Sequence, residues 1–169
     1  GSMSTNGMVS KIRLSDFTEV ATLTLSGSIR TALPDFANDF IYFSTTASPG
    51  KVEKVRVSTF TIEATLTLNS GENDLNAGAI DLTNGFAYYG TYTTPTSSVI
   101  KINLASFTRV GAITLNTPYL DEAVVDPQGG GLYFTNLGYY SPPAAIVKIN
   151  LSDFSNAGAL TSQAFRSGR

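Results

Sequence analysis

The chain contains no cysteine and no histidine. The first absence excludes disulfides and thiolate metal sites and leaves the redox compartment undefined. The second removes the commonest general base and the commonest imidazole ligand. Charged residues make up only 14% of the 169 positions, against about 25% in an ordinary globular domain. The formal charge is −2, with no basic block, so the electrostatic footprint of a nucleic-acid partner is missing. No apolar run approaches the ~20 residues a membrane-spanning helix needs. No nucleophile motif, no cofactor motif and no Asp-x-Asp-x-Asp calcium loop is present. Catalysis, a metal and a cofactor are therefore not expected.

What the chain does have is repetition. A Lys-aliphatic-x-aliphatic-x-x-Phe pattern starts at Lys11, Lys54, Lys101 and Lys148 and ends at Phe17, Phe60, Phe107 and Phe154. The lysines are 43, 47 and 47 residues apart. A period of this size marks a supersecondary unit that buries its apolar face only by stacking on copies of itself. In the best-preserved copy, Ala77–Asp81 reads as a short inner strand and Asn84-Gly85 as a hairpin turn. Phe86–Thr91 follows as an aromatic strand. Ile100, Ile102 and Leu104 then share one face of a third strand, opposite Lys101 and Asn103. Arg109–Leu115 forms the fourth. Thr and Ser occupy positions where Lys and Glu usually sit, which suits exposed strand faces. Four antiparallel strands A to D, repeated every ~40–50 residues, make the blade of a β-propeller.

Several segments also resemble the surface-layer-type or YVTN-like propeller repeats of bacteria and archaea. They are Ala79-Ile80-Asp81 through Gly85, Tyr88, Lys101–Leu104, Phe107–Leu115, and Val124-Val125-Asp126-Pro127 with Gly130. The resemblance implies scaffolding or adhesion, at the cell surface or outside the cell, with no shared chemistry.

The expected fold is all-β, with three full blades (29–68, 76–115, 121–160) and a C–D half-blade at 9–25. Residues 1–8 read as a tag remnant and leader, and 161–169 as a tail. Natural propellers close with ~4–8 blades, so one chain falls short of a ring. Either a homodimer completes it, since an open blade face exposes apolar surface, or the chain is a piece of a longer propeller. Two chains supply no spare A–B strand pair for the half-blade.

The spacing between blades points to one face. From Lys11, Lys54 and Lys101 to Leu25, Leu68 and Leu115 at the end of strand D is 14 residues, and from Asp35, Asp81 and Asp126 to the strand-B tyrosines is 7. The variation falls in the D–A segments (10, 13 and 11 residues) and the B-to-C segments (12, 13 and 15). Both connections open on the same side of a blade, where repeat proteins usually bind. The candidate ligand-binding residues there are Glu72, Asp74 and Tyr92 near blade two, and Tyr119, Tyr139 and Tyr140 near blade three. Exposed aromatics beside carboxylates suit a glycan or a peptide of a protein partner, although loop tyrosines also fold back over strand edges. Aligned inner strands add Arg30, Asn76 and Asp121, one equivalent position with three different charges. Glu72 with Asp74, and Asp121 with Glu122, are the acid pairs an alternative carbohydrate-active enzyme would use. Asp35, Asp81 and Asp126 themselves read as Asx-type turn residues, and the repeated lysines as snorkelling stems.

Overall fold

A computed structural model describes residues 6–137 and 143–161. Among them the only helical element is a single 3-10 turn at Phe36–Asn38, and fourteen strands carry the fold. An antiparallel hairpin comes first, β1 (Met8–Arg13) with β2 (Thr18–Thr24). Blade one is β3 (Ile29–Asp35), β4 (Phe40–Thr45), β5 (Lys51–Arg56) and β6 (Thr61–Thr67). Blade two is β7 (Leu75–Asp81), β8 (Phe86–Thr91), β9 (Ser97–Asn103) and β10 (Thr108–Leu115). Blade three is β11 (Glu122–Asp126), β12 (Gly131–Asn136), β13 (Ala145–Asn150) and β14 (Ser155–Thr161). Each blade is a four-stranded meander in chain order. The inner strands β3, β7 and β11 lie side by side, which sets the blades around a common axis. The architecture is a β-propeller arc of three blades and a half, as the repeat predicts.

Both turns of the blade follow from local chemistry. At the A–B turn, one carboxylate oxygen of Asp35, Asp81 and Asp126 accepts the backbone N–H of Asn38, Asn84 and Gly129, at 3.3, 3.0 and 2.9 Å. This is the Asx arrangement. At the C–D turn, Phe17, Phe60, Phe107 and Phe154 all take a left-handed backbone, φ between 49 and 54° for three and 55° for Phe60. Bulky residues rarely do so. Just beyond each repeated lysine the C–D ladder slips by one residue, leaving Val20, Glu63, Val110 and Ala157 without a cross-strand partner. Such bulges increase strand twist, and their recurrence gives every blade the same curl.

The core lies between blades, not within them. Tyr42, Leu33 and Val52 of blade one pack against Tyr89, Ile100, Ile102 and Leu104 of blade two. Tyr88, Ala79 and Val99 then pack against Phe134, Val147 and Ile149 of blade three. A Cβ on Gly90 would meet the Phe134 ring at 2.8 Å, so only glycine lets the neighbouring aromatic approach. The half-blade is held through Leu25, Phe43 and Val55. A buried carboxylate helps: Glu53, where the next blades carry Ile100 and Val147, accepts the Ser26 N–H at 3.2 and 3.3 Å.

The repeated lysines also sit at these junctions. Lys54 places its ammonium 3.9 Å from the Phe40 ring centroid and 5.8 Å from Phe107 of the next blade. Lys101 does the same with Phe86 at 4.0 Å and Phe154 at 5.4 Å. The expected snorkelling stems therefore end in aromatic cradles that bridge two blades, a cation–π arrangement of roughly 0.5–2 kcal/mol each.

Candidate functional site

Backbone bonds tie the D–A and B–C loops into one surface. Gly50 donates to the Glu72 carbonyl at 2.7 Å, Tyr92 to Asp74 at 2.9 Å, and Tyr119 to Thr93 at 3.1 Å. Asp74 and Tyr119 occupy the same station of successive D–A loops. Both have a left-handed backbone (φ 51 and 57°), and each precedes a fully buried leucine, Leu75 or Leu120. The Tyr119 ring lies 4.9 Å from that of Tyr92. The two tyrosines thus form a tilted aromatic pair, 47° between ring planes, spanning blades two and three.

Beside these loops, where the inner strands begin, Arg30, Asn76 and Asp121 line one polar hollow of about 390 Å³. Thr31, Glu122 and Leu137 complete its wall. Gly78 forms the floor, and a Cβ there would meet Thr31 at 2.9 Å; the glycine lets β3 and β7 approach and keeps the hollow open. Asn76 donates through its side-chain amide to the Leu120 carbonyl at 3.2 Å, which leaves its amide oxygen for the hollow. Asp121 accepts the Leu137 N–H at 3.0 Å. Arg30 lies 4.0 Å from Asp74 in a loose ion pair.

Burial raises the carboxyl of Asp121 above its ordinary range, and the Leu137 N–H opposes the shift. Burial raises Asp74 as well, with the Arg30 guanidinium opposing. A carboxyl raised in the folded state binds more protons there than in the unfolded chain, so it lowers stability as pH rises through that range. Asp74→Asn and Asp121→Asn are therefore expected to raise the melting temperature at pH 7. The gain should vanish near pH 3.5, where the native carboxyls are themselves protonated; melts at the two pH values check this.

Of the residues singled out from the sequence, Arg30, Asn76 and Asp121 converge, Asp74 reaches them through Arg30, and Tyr92 and Tyr119 pack together in the adjoining loops. Glu72 is placed elsewhere. It is 7% exposed, and its carboxylate takes the Arg109 guanidinium at 2.9 and 2.5 Å and the Asn69 N–H at 3.0 Å. The structure does not join it to Asp74 as an acid pair. Tyr139 and Tyr140 lie outside the described residues. Thr31, Gly78 and Leu137 carry no chemical signal in the sequence; only their places next to Arg30, Asn76 and Asn136 could have drawn them in.

Two further hollows open where the A–B and C–D turns meet. One of about 340 Å³ lies against Asp35, Tyr42 and Lys54, and one of about 400 Å³ against Asp81, Tyr88 and Lys101. They are repeats of each other, and their lysines and rings are already engaged between blades.

No family model matches the chain, and no curated protein matches it. Solved structures do. The chain is similar to Kuenenia stuttgartiensis hydrazine synthase at 11% identity and a TM-score of 0.81, over 92% of this chain and 43% of that one. It is similar to the WD40 repeats of RRP9 and to U3-55K, each at 11% identity and a TM-score of 0.65. Those two matches cover 79% of this chain and 38% and 39% of theirs. The chain thus spans less than half the length of these structures. They share a propeller fold with it, and nothing in them singles out the surface-layer-type or YVTN-like repeats.

Proposed function

We propose that this chain is a non-catalytic binding and scaffold module whose ligand lies in the hollow of Arg30, Asn76 and Asp121. One observation carries the reading: the three residues hold equivalent stations in successive blades, differ in charge, and face one cavity. A fold built from repeated units gives a symmetric surface, so a cation, an amide and a carboxylate together make an asymmetric recognition site. Hydroxyl-rich or zwitterionic ligands match that set, a glycan or a peptide end, with the Tyr92–Tyr119 pair as an adjoining stacking surface. The low charge, the many threonines and the surface-layer resemblance support a role at the cell exterior in this reading.

A glycan array and a short-peptide library, followed by titration calorimetry, test it. Binding that is lost in Arg30→Ala and Asp121→Ala but kept in Lys148→Ala supports the hollow. Equal binding by all three variants overturns it. The carbohydrate-active enzyme alternative loses its Glu72–Asp74 pair, because Glu72 is spent on Arg109. Its other pair, Asp121 with Glu122, lines the hollow, and hydrolysis of a bound glycan that is lost in Glu122→Gln would favour it.

A further inference from the structure

We propose that two copies of this chain join head to tail, with the outer face of each half-blade seated on the open face of blade three of the other. The proposal is independent of the hollow described above. It rests on the two junctions inside the chain, which show what each uncovered station ordinarily meets.

On the leading face of blades one and two, Leu33 and Ala79, Tyr42 and Tyr88, and Val52 and Val99 are all buried under the next blade. The same stations in blade three are Val124, Tyr133 and Ile146. Val124 is 61% exposed, and Leu160, the counterpart of Leu66 and Ile113, is 71% exposed. On the trailing face, Val55, Ile102 and Ile149 are buried, as is Leu104. Their half-blade counterparts are Ile12 and Leu14, and Leu14 is 87% exposed.

The aromatic cradle makes the match specific. Phe107 and Phe154 each lie about one ring from the preceding blade's tyrosine, 5.9 Å to Tyr42 and 6.0 Å to Tyr88, with that blade's lysine above. At the ends of the arc the parts are separated. Lys148 stands over Tyr133 at 5.8 Å, and among the described residues no phenylalanine joins them as Phe107 and Phe154 join the other two cradles. Phe17 is 83% exposed, yet holds the same left-handed backbone as its three counterparts, so its backbone is already set as in the copies whose rings meet the preceding unit. Gly131 stands where Phe40 and Phe86 stand in the other blades, and Phe17 of a second copy supplies a ring there. Because each copy carries one of each face, the contact is heterologous and closes when two copies are related by a half turn. The half-blade covers only the outer two strands of its partner. The apolar hollow of about 340 Å³ by Val124 and Thr135 stays toward the axis.

Light scattering over a dilution series, with Phe17→Asp and Leu160→Asp, tests the arrangement. Both side chains are exposed, so thermal melts of the dilute monomer should not change and a failure to fold is not confused with a failure to associate. The expected mass is twice 17.9 kDa, with each substitution weakening the dimer about tenfold or more. Mixing the two variants should recover association, since a mixed pair contains one intact junction. A monomer at every concentration, or a mass of three or more copies, overturns the two-copy ring. So does a dimer insensitive to either change, or one lost in only a single variant, which means a face pairing with itself.

Discussion

Replacing Arg109 with alanine is expected to cost roughly 2–3 kcal/mol of folding stability, although the residue is on the outermost strand of its blade. Its Nε lies 2.9 Å from both oxygens of Glu72 and its Nη2 2.5 Å from one of them. Glu72 belongs to the loop between β6 and β7, so the pair links blade one to the edge of blade two. Without Arg109 the buried carboxylate keeps one donor, the Asn69 N–H. The guanidinium is 26% exposed, which holds the loss below that of a fully enclosed pair. For a chain of this size the melting temperature should fall by about 4–12 °C. The double variant Glu72→Gln, Arg109→Ala should recover most of the loss, because a neutral amide needs no cation. Urea unfolding of both variants decides it, and an equal loss in the double variant would assign the cost to the arginine stem.

The fate of Glu72 shows where sequence reasoning stops. Its neighbourhood in the chain, Gly71 to Asp74, reads as an exposed acidic loop, and its partner is 37 residues away on a strand of the next blade. Pairing across blades leaves no local trace. The repeat itself is legible for the opposite reason. Period-two strands, Asx turns and invariant intervals are local, so Lys101–Leu115 announces strands C and D without reference to the rest of the fold. The four bulges were not legible, since a residue such as Val110 continues an apolar pattern while slipping out of the ladder.

The left-handed phenylalanines are a second such case. Phe17 keeps φ 54° with its ring in solvent, so packing is not what imposes the conformation. The turn is. Asp16 accepts from the Thr18 N–H at 3.3 Å and from its hydroxyl at 2.8 Å, and Asp153 does the same for Ser155. Those bonds close the turn around the phenylalanine between them. Glycine would suit that backbone better, yet all four repeats carry Phe, and the ring's place in the preceding unit's cradle accounts for three of them. The convergence of Arg30, Asn76 and Asp121 was half legible. Alignment of the inner strands puts them at one station, but only the blade-to-blade approach at Gly78 turns that station into a cavity.

The largest expected loss separates two tyrosines that the repeat makes equivalent. Tyr88→Ala should destabilise the chain by about 3–5 kcal/mol, as for other large aromatic side chains removed from a core. Its ring is covered by Phe86, Phe154 and Lys101. Burial first, and then the Asp81 charge, push its hydroxyl up to about 12, so it stays neutral across the working range. Tyr133→Ala removes the same side chain from the same register, opposite Lys148. Its ring rests over Gly131 and, among the described residues, no following blade covers it, so in the monomer the cost should be about 1 kcal/mol. Urea unfolding at a concentration too low for association measures the difference. In a stack of repeats, stability divides between what a unit holds by itself and what it gains from its neighbour, and this pair isolates the second part. Equal costs would mean that the blade's own strands hold the tyrosine. A gap that narrows as concentration rises would mean that another molecule has come to cover Tyr133.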